Sequence, residues 1–257
     1  MSLRILAPPH EEIARVGARS RREVGPLGAG TRWDSEQIDG ENRYFQEVRY
    51  SLYNADVLVH SRVVRCFHAT MEQLQMLDTT LQLVPPQHID LLNERKPAGI
   101  RVADTTGRGA SRRYMGGVNP SADYAASPDF DERRGIVITH GAFWENRNRG
   151  ICVTVLHEIG HVMTHNGELS YQPFPHDRSA QLRGLRVSRN PGVYEGLCNA
   201  YMFFLCYGSD NAVMRDYGTN PPDIQKDAVT RRALRQTQAF TMLDSGWQSR
   251  FAERERR

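Results

Sequence analysis

The stretch that most constrains this chain is Thr154-Val155-Leu156-His157-Glu158-Ile159-Gly160-His161-Val162-Met163. Ile151, Val155, Ile159 and Val162 recur at three- and four-residue intervals, so the spacing predicts a helix with an apolar back. Two histidines four apart on such a helix stand one above the other on the opposite side, close enough to share one metal ion. Glu158 points about 100° further round, where a carboxylate can hold a water bound to that ion. This is the H-E-x-x-H arrangement, and its usual ion is zinc. Three fixed letters arise by chance in roughly one or two chains of this length per hundred, so the surroundings matter. Asn166-Gly167 supplies a helix stop, since either residue tolerates the left-handed conformation of a C-terminal cap. Gly160 inside a helix costs about 1 kcal/mol against alanine, which predicts that a neighbour packs closely there.

A chain of 257 residues with 39% hydrophobic content can bury one substantial core. Residues 1–45, polar and rich in Gly and Arg, read as a partly flexible N-terminal extension, with Glu11 to Val24 as a candidate amphipathic helix. Residues 46–257 read as the catalytic domain. No run reaches the length of a membrane span, and Met1 to Pro9 lacks the apolar core of a cleavable signal peptide. The expected location is therefore the cytoplasm, or outside the cell by a route independent of a signal peptide. Lys96 and Lys226 are the only lysines, so the basic character is almost wholly arginine. A net charge of +3 argues for neither a nucleic-acid nor a membrane partner. Cys66, Cys152, Cys198 and Cys206 read as buried thiols: none has C-x-x-C spacing, and Cys198 and Cys206 would sit about 12 Å apart on one helix.

Along the chain, Tyr50 to Phe67 is strand-like, with Val57-Leu58-Val59 and Val63-Val64 as its apolar runs. A helix follows, with Thr70 as N-cap, Gln73 completing a capping box, and Met71, Leu74, Leu77 and Leu81 along one side. Pro85-Pro86 stops it, His88 to Asn93 gives a further turn, and Gly99 to Val102 a strand. Residues 104–133 are loop by composition, and Arg108, Arg112 and Arg113 within them are candidates for an acidic group of a substrate. Gly135 to His140 is a clear strand. With one edge open it would offer its backbone to an extended peptide; paired on both sides it would be a core strand. Beyond Gly167 the chain is irregular until Pro191-Gly192, then helical over Tyr194 to Cys206, Ala212 to Tyr217, Pro222 to Arg235 and Gln236 to Leu243, with a charged tail. This order is α+β, a small mixed sheet with the histidine helix followed by a helical C-terminal subdomain.

A catalytic zinc needs three protein ligands and one open position. A metzincin would place a third histidine six residues after His161, and that position is Gly167. His165 lies a turn beyond His161, and a straight helix cannot aim three successive turns at one ion. Glu195 is the better candidate, because it opens an apolar helical stretch in which an unpaired carboxylate is costly. Asn199, one turn on, is placed to hydrogen-bond the far nitrogen of a metal-bound histidine. His176 and Asp177 are the rival ligands.

His157-Glu158-Ile159-Gly160-His161 followed by Glu195-Gly-Leu-Cys-Asn-Ala-Tyr resembles the gluzincin metallopeptidases, nearest to the catalytic domain of anthrax-type lethal factor. The likeness extends from Leu81-Gln-Leu-Val-Pro-Pro through Gly99-Ile-Arg-Val and Gly135-Ile-Val-Ile-Thr, roughly residues 50 to 245, although only the histidine motif is specific. The resemblance implies a zincin-like fold and one Zn2+ held by His157, His161 and Glu195. It also implies a zinc-bound water activated by Glu158 as general base, and a peptide or protein substrate, in the manner of a bacterial toxin or effector protease. Two positions depart from the family pattern. Asn199 stands where an acidic residue is usual, and the tyrosine expected shortly before the ligand glutamate is missing. Tyr194 is the nearest substitute as transition-state donor, with Tyr171 and His176 as others. The competing reading is an inactive zincin-like scaffold or a protein with structural zinc.

Overall fold

The computed structural model describes residues 3–18, 33–38, 40–103, 116–117, 134–145, 150–165, 198, 201–202, 204–206 and 238–256. The chain divides into two compact units, Met1–Gln82 with Lys96–Val155, and Leu83–Arg95 with Leu156–Arg257. Secondary structure is mixed, as the α+β reading expects.

The first unit is built on an eight-stranded mixed sheet. Its strands are β1 (Leu3–Ile5), β2 (His10–Ala18), β3 (Trp33–Ile38), β4 (Glu41–Val59), β5 (Arg62–Ala69), β6 (Gly99–Ala103), β7 (Gly116–Gly117) and β8 (Gly135–Thr139). The order β1-β4-β5-β6-β8-β7 is parallel across β5, β6 and β8 and antiparallel elsewhere. β2 and β3 both pair antiparallel with the N-terminal part of β4. The candidate helix at Glu11 to Val24 is therefore corrected: Glu11 to Ala18 is strand, in register with Ser51 to Tyr44, and residues 19–24 lie outside the described residues. Ile13 and Val16 mimic a helical spacing, but pairing with a strand some thirty residues away decides the conformation.

β4 and β5 form a hairpin whose two-residue turn, His60-Ser61, has φ of 47° and 66°, the positive values that match a turn to the twist of its strands. Val57, Val59, Val64 and Cys66 are fully buried, whereas the cross-strand pair Leu58 and Val63 faces outward. Helix α1 (Met71–Leu81) starts on the expected capping box: Thr70 Oγ1 accepts from Gln73 N at 3.2 Å, and Gln73 Oε1 accepts from Thr70 N at 2.9 Å. Leu74, Leu77 and Leu81 are buried along one side, with Met71 only half-buried. Pro86 does more than end α1, since it opens helix α2 (Pro86–Arg95), where a missing N–H costs nothing. Gly99 has φ 86°, and a Cβ there would collide with the backbone carbonyl of Arg65, so β6 can enter the sheet only with glycine at its start.

All five residues of β8 are buried, and it pairs with β6 on one side and, at Val137 and Ile138, with β7 on the other. Where those pairings hold, it is a core strand rather than an open edge. His140 begins helix α3 (His140–Glu145) rather than extending the strand. Arg108, Arg112 and Arg113 lie outside the described residues.

The second unit contains α2, helical residues at 198, 201–202 and 204–206, helix α5 (Gln238–Thr241) and helix α6 (Ser245–Arg256), together with most of helix α4 (Val153–His165). α6 replaces the expected charged tail. Asp244 caps it, with Oδ1 accepting from Trp247 N at 2.9 Å. That bond, and then the amide of Gln87, hold the Asp244 carboxyl below the usual range. All four cysteines are buried, and none of them forms a disulfide. Among the described residues no helix is long and apolar enough to cross a membrane.

Candidate metal centre

α4 is apolar on more than its back. Val155, Leu156, Ile159 and Val162 have no exposed surface, and each contributes about 1.5–3 kcal/mol by burial. The helix that carries the motif is thus well buried, and the three polar side chains of the motif are buried with it: His157 is 8% exposed, Glu158 6% and His161 9%. The described helix ends at His165; Asn166 and Gly167 lie outside the described residues.

The two histidines are brought together as the spacing requires. Their rings meet edge to face with centroids 4.9 Å apart, and the Nε2 atoms are 3.2 Å from one another. Two nitrogens bound to one zinc at about 2.0–2.1 Å and a tetrahedral angle would be about 3.3–3.4 Å apart. The observed separation is that of a shared cation's edge, as well as of a hydrogen bond between neutral rings. Glu158 belongs to the same group, in which a nitrogen of each ring and a carboxylate oxygen all lie within 4.8 Å of one another. Among the described residues this is the one group of three or more such side chains that could hold a metal ion. Its donors, two imidazoles and a carboxylate, suit a borderline divalent ion such as zinc.

Close packing at Gly160 is present. A Cβ there would stand 3.0 Å from Cys198 Cα and 3.1 Å from Cys198 O. The glycine is what lets the backbone at Cys198 approach α4 one residue before His161. Glu195, Tyr194, Asn199, His176, Asp177 and Tyr171 all lie outside the described residues. Sequence reasoning did not find Arg95, whose Nη1 donates to Val162 O at 2.9 Å. Its partner lies on another helix, remote in sequence, so no local spacing signals it.

A second set of rings lies in the first unit. His10 and His68 meet edge to face at 5.2 Å, and Tyr50 stacks on His140 at 6.2 Å. Gln73 Nε2 donates to His140 Nδ1 at 2.8 Å, which places the imidazole proton on Nε2. Burial, and then the neighbouring His68, push the His140 pKa down to about 4. These residues do not bring three ligand atoms to one point. Comparison with protein-family models, with curated proteins and with solved structures gives no match to this chain.

Proposed function

We propose that the chain is a zinc-dependent endopeptidase with a zincin-like catalytic domain, in which His157, His161 and Glu195 hold one Zn2+ and Glu158 is the general base. The observation that carries this reading is the convergence of the two Nε2 atoms at 3.2 Å, with the Glu158 carboxylate in the same buried group. Bound zinc would polarise the scissile carbonyl and lower the pKa of a water toward about 7. Glu158 takes the proton of the attacking water and passes it to the leaving amine, which regenerates the carboxylate.

Support for Glu195 comes from the chain itself. Cys198 packs on Gly160, and Glu195 stands three residues before it in the sequence, a span of at most about 11 Å of chain. Tyr194 and Asn199 fall within the same short span, as donor to the developing oxyanion and as partner of a ring N–H. His176 and Asp177 are the rival ligands, and Tyr171 and His176 the rival donors. A peptide or protein substrate, and a role as a toxin or effector, rest on the family resemblance.

One observation favours the second reading, a structural zinc or an inactive scaffold: each of the three side chains is less than a tenth exposed. A peptide-library cleavage assay on the zinc-loaded chain and on Glu158→Gln separates the two. We expect the wild type to cleave, and the variant to keep its zinc while losing roughly a hundredfold or more in rate. Zinc retention without cleavage by the wild type supports the structural reading, and full activity in Glu158→Gln removes Glu158 from the mechanism.

A further inference from the structure

Helix α2 touches both of the segments that meet at Gly160. Towards its C-terminal end, the Arg95 guanidinium holds Val162 O at 2.9 Å. Val162 follows His161 directly in α4. Towards the N-terminal end of α2, His88 is fully buried. Its Nε2–H donates to Ala239 O at 2.6 Å, which leaves Nδ1 to accept from the Tyr201 hydroxyl at 2.9 Å. Tyr201 is also fully buried. It lies three residues after Cys198, the residue that packs on Gly160.

Three contacts therefore close a triangle: Gly160 to Cys198, Tyr201 to His88, and Arg95 to Val162. Phe240 seals the His88 corner, with its ring 5.7 Å from His88 and 6.1 Å from Tyr201. Water cannot stand in for a lost partner at that corner, so breaking the hydrogen bond leaves a buried polar atom unsatisfied. Burial pushes the His88 pKa down to about 4, so the neutral ring and both of its hydrogen bonds persist at neutral pH.

We propose that α2 is the clamp that sets the spacing of the metal centre. Arg95 fixes the histidine helix just past His161, and His88 fixes, through Tyr201, the segment that packs on Gly160. Both are positioning residues for metal capture. The inference rests on the zinc reading above. A site whose ligands come from two segments binds metal in proportion to the time those segments spend at the right separation, and α2 is in contact with both. Another side chain of α2 supplies a control: Gln87 Nε2 donates to Asp244 Oδ2 at 3.0 Å, and Asp244 belongs to neither segment.

The test is zinc affinity of the full chain, by competition with a chromophoric chelator at neutral pH, beside thermal midpoints in EDTA and in zinc. Tyr201→Phe keeps the ring and removes the donor to His88; Arg95→Met keeps the stem and removes the donor to Val162. Each is expected to weaken zinc binding roughly three- to tenfold and to shrink the zinc-induced rise in midpoint. Arg95→Lys should recover most of that loss. Gln87→Ala should lower the EDTA midpoint while zinc affinity stays within about twofold of wild type. If Tyr201→Phe and Arg95→Met lower the EDTA midpoint but bind zinc as the wild type does, the clamp is overturned and the zinc reading stands. A wild-type chain that takes up no zinc overturns both.

Discussion

His88 and His140 show how strongly a buried site can override a side chain's ordinary chemistry. Each keeps a neutral imidazole, with its pKa lowered to about 4 chiefly by burial, where an unfolded chain would titrate near 6.5. The folded state therefore binds fewer protons than the unfolded state between those values, and stability falls as pH drops from about 6.5 toward about 4. Each histidine accounts for about 2–3 kcal/mol of that loss. Urea denaturation in EDTA at pH 7.5 and 4.5 checks it: His88→Gln, although less stable at pH 7.5, should lose about 2–3 kcal/mol less than wild type on acidification. An equal loss in both proteins would mean that His88 takes up its proton while folded. At the same scale, the proposed role of Glu195 makes Glu195→Ala bind zinc roughly a hundredfold more weakly, since two histidines alone hold the ion poorly. Unchanged affinity would move the third ligand to His176 or Asp177.

At the scale of elements, Gly160 is the point where α4 accepts its neighbour. Alanine is the better helix former by about 1 kcal/mol, yet its methyl would press on the backbone of Cys198 at 3.0 Å. Backbone gives way less easily than a side-chain tip, so overpacking of about 1–3 kcal/mol should outweigh the propensity gain. Gly160→Ala is expected to be net destabilising by denaturation; a stabilised variant would mean that the contact at Cys198 is loose. The capping box of α1 and the apolar back of α4 were legible because each depends on residues within one or two turns of chain. Gly160 was legible because a glycine inside a helix marks a close approach even when the neighbour, Cys198, is remote in sequence. β2 was not. Its pairing partners, Tyr44 to Leu52, are remote in sequence, and nothing in the local spacing of Ile13 and Val16 records them. The hairpin turn was hidden for a different reason, since His60-Ser61 adopts positive φ without the glycine or asparagine that would announce it. α2 was legible only as a turn, because Pro85-Pro86 reads as a break when its second proline is in fact a helix start.

For the whole molecule, the two units divide the proposed labour. The first supplies the mixed sheet, with β8 leading through α3 toward α4; the second holds His157, Glu158, His161 and the Cys198 contact at Gly160. The α+β class was readable from the order of strands and helices, whereas the participation of β1 to β3 in one sheet with β4 was not. Everything proposed for function depends on one divalent ion shared by the two imidazoles. The most direct measurement is zinc content per chain, by elemental analysis after chelator stripping, zinc reloading and dialysis, for the wild type and for His161→Ala. We expect close to one zinc per wild-type chain and almost none in the variant. A wild-type chain that retains no zinc, or a variant that retains as much as the wild type, would contradict the shared-ion site.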